Sequence, residues 1–369
     1  MIIEQIELYH ISMPLVAPFE TSFGVETDRE CIIVAAHADG LTGWGECVAS
    51  ADPGYCYETV KTAWHILEDF LIPATLGREF DDIPSLAAAW SGVRGHPLAK
   101  AGLQMAVWDL IGRAQGLPLQ KLLGGQGDRV RVGVSVGIQP SREALVERIR
   151  AYLAEGYPRI KIKIKPGKDV EYARAVREAF PEILLQVDAN SAYRLEDAPT
   201  IRAMDDLNLL LIEQPLGYDD IFDHAKLQAQ VKTPICLDES IHSPDHARWA
   251  LELSACRIIN IKAARVGGLY EAVQIHDLCR ARGVPVWCGG MLETGIGRAS
   301  NLALASLPGF TLPGDISATN RYYHEDIADP PFMLNSDGTI NVPTGPGLGV
   351  RVRMGVLERV TKRKGKYGN

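Results

Sequence analysis

The chain has 369 residues, 46% of them hydrophobic, enough to bury a barrel core of roughly 250 residues and leave about a hundred for a smaller domain. A net charge of −8, with no dense Lys/Arg cluster outside the tail RVTKRKGKYGN, excludes nucleic acid and anionic membranes as partners and makes that tail an expected frayed, solvated terminus. Seven cysteines at irregular spacing read as reduced thiols, the start MIIEQIELYH lacks the regions of a signal peptide, and no apolar run approaches membrane length, so a soluble cytoplasmic protein is expected.

Residues 1 to about 50 read as an antiparallel meander: IEQIELYHI and ECIIVAAHA are strand-like, Asp39-Gly40 punctuates a hairpin, and GWGECV makes a third strand. Between the first two lies MPLVAPFETSFGVETDR, read as a long loop with Pro14, Pro18, Gly24, Phe19 and Phe23. We take it as a lid over a pocket, the alternative being a hydrophobic plug under the sheet. From Tyr57 to Gly116 the period becomes helical, and LAKAGLQMAVWDLIGRAQG ends in Arg113 and Gly116, a stop signal followed by Pro118. Residues 1–125 are therefore expected to form an α+β domain.

A barrel is expected over residues 126–320. VRVGVSVGI is its first strand, with Ser135 and Gly137 near the outgoing end, and RIKIKIK, LLQVDAN, LLLIEQP, PICLDES and IINIKAA follow as strands two to six. PVWCGGM is the seventh and TLPGDIS a shorter eighth. Residues 321–369 alternate strand-like pieces with Gly and Pro turns and are expected to return to the first domain, since an isolated hairpin is marginal.

Spacing carries the functional argument. Lys163, Asp188, Glu213, Asp238 and Lys262 follow one another at intervals of 25, 25, 25 and 24 residues, the length of one strand–helix unit. Each then sits at the C-terminal end of its own parallel strand, where barrel strands converge on one mouth and build active sites. A single Asp in such a place is most often a cap or a turn residue; three in phase with two lysines are not. Asp188, Glu213 and Asp238 offer hard oxygens without imidazole or thiolate, which selects Mg²⁺, with Mn²⁺ as a substitute, and leaves coordination positions open for substrate. Lys163 is the candidate general base, tuned by burial, the metal, Lys161 and Lys165. Lys262, four strands further round, faces it across the mouth. This arrangement suits abstraction of a proton α to a carboxylate, with the metal stabilising the enediolate.

The Lys161-x-Lys163 pair, the three acids and Lys262 resemble the muconate-lactonising subgroup of the enolase superfamily. More narrowly, PLVAPFETSFG, GWGEC, VSVGI, LLQVDAN, LLLIEQPL, TPICLDESI, VPVWCGGMLETGIGR, FTLPGDIS and VPTGPGLGV resemble the o-succinylbenzoate synthase / N-succinylamino acid racemase family. The resemblance implies an α/β fold, a (β/α)7β modified barrel under an α+β capping domain, with one Mg²⁺ and a small-molecule carboxylate substrate. It further implies that Lys163 removes the α-proton and assists hydroxide departure, while Lys262 stabilises the enediolate as an ammonium or acts as a second base in racemisation. Ser135, Asn190, Met291, Phe19 and Phe23 are the expected substrate contacts, and a homo-oligomer is expected.

Two departures stand out. Ala263-Ala264 follow Lys262 where the resemblance leads to a Pro-Gly pair, and Lys165 stands where it leads to an acid, so that Lys165 is expected to face a neighbouring acidic side chain instead. A dipeptide epimerase would share the metal site and lysines, but Gly314-Asp315-Ile316-Ser317 lacks the second Asp of the motif that holds a substrate ammonium. A muconate cycloisomerase would belong to the same subgroup. A non-catalytic metal-dependent binding protein on a barrel scaffold would leave two inward lysines beside a metal without a purpose, their mutual repulsion a standing cost. The segment GIGR is too weak a signal for a phosphate loop.

Overall fold

The computed structural model describes residues 1–80 and 82–368. Strands β1 (Gln5–Glu20), β2 (Val25–Ala38) and β3 (Leu41–Cys47) form an antiparallel sheet. The continuous apolar run of β2 buries both faces: Ile32, Val34 and Ala36 pack with the 19-residue helix α1 (Pro97–Gln115), and Cys31, Ile33 and Ala35 join the barrel core. Helix α1 lies backbone to backbone on β3, because Gly43, Gly45 and Gly102 carry no Cβ where one would strike the facing chain. The buried Glu58 accepts from the amides of Leu98 (2.7 Å) and Ala99 (3.1 Å), tying the loop after β3 to the first turn of α1.

Two expectations for this region need correction. The segment read as a long loop is mostly strand: β1 continues to Glu20 and β2 resumes at Val25, with a register shift between Pro14 and Phe19. The prolines end the regular ladder without ending the hairpin. The tail is not frayed, because β11 (Thr361–Gly368) pairs antiparallel with β1 along the sheet edge. Its cations meet acids of the sheet and neighbouring helix, Lys362 with Glu30 (2.6 Å), Arg363 with Glu68 (3.4 Å) and Lys364 with Glu7 (3.3 Å), which suits a charged, protected edge. Asn369 lies outside the described residues.

The second sheet is parallel and runs β4 (Val134–Val136), β5 (Arg159–Lys163), β6 (Leu184–Asp188), β7 (Ile212–Glu213), β8 (Ile235–Leu237), β9 (Ile258–Ile261) and β10 (Val286–Cys288) in spatial order. Residues 310–315 close it: the Asp315 amide donates to Cys288 O (2.8 Å) and the Gly133 amide to Gly314 O (2.7 Å). This expected eighth strand is an extended segment with isolated bridges, and Pro313 within it has no N–H to donate. The expected first strand is likewise split. Arg129–Arg131 pairs with Thr339–Asn341, and the chain enters the barrel only past Gly133, where a Cβ would strike the Arg159 guanidinium.

Candidate active site

Parallel register brings the spaced residues together. Lys163 lies opposite Asp188 across β5 and β6, and Asp188 opposite Glu213 across β6 and β7. Asp238 follows one residue after β8 and Lys262 one residue after β9. All three acids are fully buried.

Lys161 is the hub of the acid side of the mouth. Its ammonium lies 2.8 Å from Glu213 Oε2, 3.0 Å from Asp188 Oδ2 and 2.5 Å from Asp315 Oδ2, above the Trp287 ring. Burial alone would lower its pKa, but Asp315, Glu213 and Asp188 outweigh that and hold it well above the usual lysine range. Lys161 is thus a fixed cation. Lys163 donates to Asp188 Oδ2 (2.6 Å) and Asn190 Oδ1 (2.7 Å). Burial pushes the Asp188 carboxyl up, yet Lys163 and Lys161 overcome it and keep Asp188 ionised. Glu213, whose other oxygen accepts from Asn260 (2.7 Å), is raised by burial and by the charge of Asp188.

Lys262 donates to Asp238 Oδ2 (2.7 Å) and to the Tyr55 hydroxyl (3.0 Å). Its stem runs beside Gly289, where a Cβ would come within 2.7 Å of Lys262 Cε. Burial lowers its pKa, and Tyr55, Glu213 and Glu239 together raise it further, so the ammonium form is favoured. Residues Ala263–Val266 wind into one helical turn that buries Arg265 against Asp238 Oδ1, Ile241 O (2.8 Å) and Asn260 O (2.6 Å).

The three carboxylates do not close on a single point among the described residues. Lys161 pairs with both Asp188 and Glu213, while Lys262 and Arg265 pair with Asp238. The donor set nonetheless fits a hard divalent cation: three buried anionic oxygen donors whose charge is met by ammonium and guanidinium groups at several points. Glu239 adds a further buried carboxyl, bonded through one oxygen to Asn190 (2.8 Å), with the other unpartnered, and burial and Asp188 push it up to about 7.

Every expected substrate contact lines one cavity of about 280 Å³, together with Lys161, Lys163 and Lys262. Ser135 is buried there with its hydroxyl unpartnered, and Asn190 bridges Lys163 and Glu239. The cavity also takes Tyr55, Arg29 and Leu292, which sequence reasoning does not place there, and Asp315 of the eighth-strand segment. Asp315 is held by Lys161 and by Arg159 (2.7 Å), so it is already spoken for by two cations rather than turned toward a substrate ammonium. The GIGR segment opens the helix α2 (Gly295–Ala305), but the amides of Thr294 and Gly297 donate to Glu46 of β3 and that of Gly295 to Asp326, instead of presenting a phosphate site.

The two lid phenylalanines differ. Phe19 is buried, edge-on to Tyr322 at 6.3 Å, whereas Phe23 is 45% exposed and rests on Tyr55 at 6.4 Å. Phe23→Ala should therefore raise KM severalfold and leave the melting temperature nearly unchanged. Phe19→Ala should in addition cost about 3 kcal/mol of stability, as a truncated core aromatic does. Paired thermal melts and steady-state kinetics check this, and equal melting temperatures for the two variants would contradict the assignment of Phe19 to the core.

Residues 5–124 match the family model for the mandelate racemase / muconate lactonizing enzyme N-terminal domain, and residues 144–356 match the enolase C-terminal domain-like model. The chain belongs to the enolase superfamily. Among curated relatives of this enolase-superfamily chain, the o-succinylbenzoate synthase of Geobacillus kaustophilus is 52% identical over 98% of this chain and 96% of its own. The N-succinylamino acid racemase of Thermus thermophilus is 49% identical over 97% of each. A crystal structure of an enolase-superfamily protein from Listeria innocua superposes with a TM-score of 0.96 at 41% identity, covering 100% of this chain and 99% of the other. A dipeptide epimerase from Cytophaga hutchinsonii, complexed with Mg and D-Ala-L-Val, gives 0.91 at 27% identity over 99% and 100%. The modified-barrel fold expected from the sequence is thus borne out, and the superfamily is one of metal-dependent enzymes acting on small molecules. No helix among the described residues is long and apolar enough to cross a membrane.

Proposed function

We propose that this chain is a Mg²⁺-dependent o-succinylbenzoate synthase that dehydrates 2-succinyl-6-hydroxy-2,4-cyclohexadiene-1-carboxylate and also racemises N-succinylamino acids. The observation that carries the reading is the placement of Lys163 and Lys262, which line one cavity from β5 and the end of β9, with the three acid-bearing strands between them. A carbon held between two amines presents one face to each. Relatives at 52% and 49% identity bear the two names, which supports both activities on one set of residues.

Asp188, Glu213 and Asp238 would hold the metal ion, and Mg²⁺ suits an all-carboxylate set. When bound, the ion supplies electrostatic stabilisation of negative charge on the substrate carboxylate. Lys163 takes the α-proton. In dehydration the same group returns that proton to the departing hydroxide, so water leaves and the ring becomes aromatic. Lys262, between Tyr55 and Asp238, presents an ammonium to the developing negative charge. In racemisation Lys262 gives its proton to the face opposite Lys163, and the reverse direction exchanges their roles. Lys161, locked by three carboxylates, keeps those acids in place without exchanging a proton.

The test is to strip the purified protein with chelator and assay both substrates before and after Mg²⁺ is added. Both activities should be absent from the stripped protein and return with the metal. Full turnover in metal-free buffer, or neither activity with Mg²⁺ present, would sink the proposal.

A further inference from the structure

The lid tip, residues 19–26, carries two acids. Glu26 pairs within its own sheet with Arg29 at 3.2 Å, whereas Glu20 reaches across to the barrel and pairs with Lys165 at 3.0 Å. Among the described residues this is the one ion pair that joins the tip to the barrel. The other contacts are not ion pairs: the Ile138 amide donates to Glu20 O (2.9 Å), the Ser22 hydroxyl to Asn190 O (3.1 Å), and Phe19 packs on Tyr322 beneath the Arg321 guanidinium.

Lys165 stands on a stiff mount. Its backbone exchanges two hydrogen bonds with Lys168 (2.8 and 3.3 Å) around Pro166 and Gly167, whose φ of +83° suits glycine. Lys168 in turn donates to Gln139 O (2.9 Å). This turn lies directly beyond Lys163, on the rim of the mouth that the lid covers. Opposite it, Gly137 lets the lid backbone approach so closely that a Cβ would meet Glu20 N and O at 3.0 Å.

We propose that Lys165 and Glu20 are positioning residues for the reaction: their ion pair latches the lid tip to the barrel rim and holds Phe19 and Phe23 over the cavity. Both side chains are about one-third exposed (34% and 35%), so the pair adds little to global stability and is weakened by salt. An exposed pair of this kind shifts the balance between docked and undocked tip by roughly two- to fivefold.

The experiment compares Lys165→Glu, Glu20→Lys and the double variant, with Lys165→Met as a neutral control. Each single reversal sets like charges together and should raise KM roughly two- to fivefold, a larger change than in kcat. It should also speed amide hydrogen exchange in residues 134–140, where Ile138 is bonded to the lid. The double variant should restore both, and Lys165→Met should lose the salt dependence of KM. A double variant as impaired as the singles, or singles with unchanged KM and exchange, would overturn the latch. The kinetic arm rests on the proposed function and the exchange arm does not: a wild-type protein inactive on the proposed substrates refutes that function, and exchange alone then decides the latch.

Discussion

Asp188→Asn, Glu213→Gln and Asp238→Asn should each lower turnover by more than about a hundredfold at saturating Mg²⁺, with the fold intact. Every one removes an anionic oxygen donor from a set of three, and a small ion that demands near-ideal geometry tolerates a weaker donor poorly. Electrostatic stabilisation by a bound ion amounts to several kcal/mol, and each 1.4 kcal/mol is about tenfold in rate. The variants also differ from one another. Asp188 is shared by Lys161 and Lys163, so its neutralisation leaves the buried Lys161 ammonium short of one carboxylate and Lys163 short of its own, and a stability loss of about 3 kcal/mol is expected. Asp238 answers to Lys262 and Arg265 and should behave alike. Glu213 is bonded to Lys161 alone among the cations and also to the neutral Asn260, so Glu213→Gln should cost the least stability while still losing turnover. Thermal melts beside calorimetric Mg²⁺ titration read both quantities. An Asp188→Asn protein that binds Mg²⁺ as tightly as the parent and turns over near its rate would remove Asp188 from the metal site.

The parts of the site that are legible in the sequence are those that a strand repeat displays. Lys163, Asp188, Glu213, Asp238 and Lys262 recur at one interval because each closes one strand–helix unit, and parallel register turns that interval into proximity. Arg265 and Tyr55 obey no such period. Arg265 depends on a single helical turn after Lys262, and Tyr55 comes from an irregular loop on the other domain, more than 200 residues away. Asn260 is within reach of sequence reasoning: it stands two residues before Lys262 on β9, and strand alternation puts it on the same inward face. The lid misleads because Pro14 and Pro18 look like breaks, whereas an edge or bulged position tolerates them. The tail misleads because its charges suggest solvation, although an edge strand carries such charges and pairs them with acids next to it.

Lys163→Ala should abolish dehydration, and Lys262→Arg should retain a measurable part of it. In dehydration Lys163 must take the α-proton and then assist the leaving hydroxide, so its removal takes away a general base and a general acid together. One such function typically contributes about a hundred- to ten-thousandfold. Lys262 need only remain a cation, and its partners Asp238 and Tyr55 would accept from a guanidinium as they do from the ammonium. Racemisation asks more of it. Each lysine must exchange a proton with its own face of the α-carbon, and an arginine does not give up its proton near neutral pH. Lys262→Arg should therefore fail to interconvert the enantiomers of an N-succinylamino acid. It should still exchange the α-hydrogen of one of them with solvent deuterium, namely the one presented to Lys163. Proton NMR of each enantiomer in deuterium oxide separates the two half-reactions and needs no net turnover. Because Gly289 leaves so little room beside the Lys262 stem, Lys262→Met serves as a smaller control: it should show the same one-sided exchange while losing the residual dehydration. Exchange of both enantiomers at equal rates in either variant would refute Lys262 as the second base.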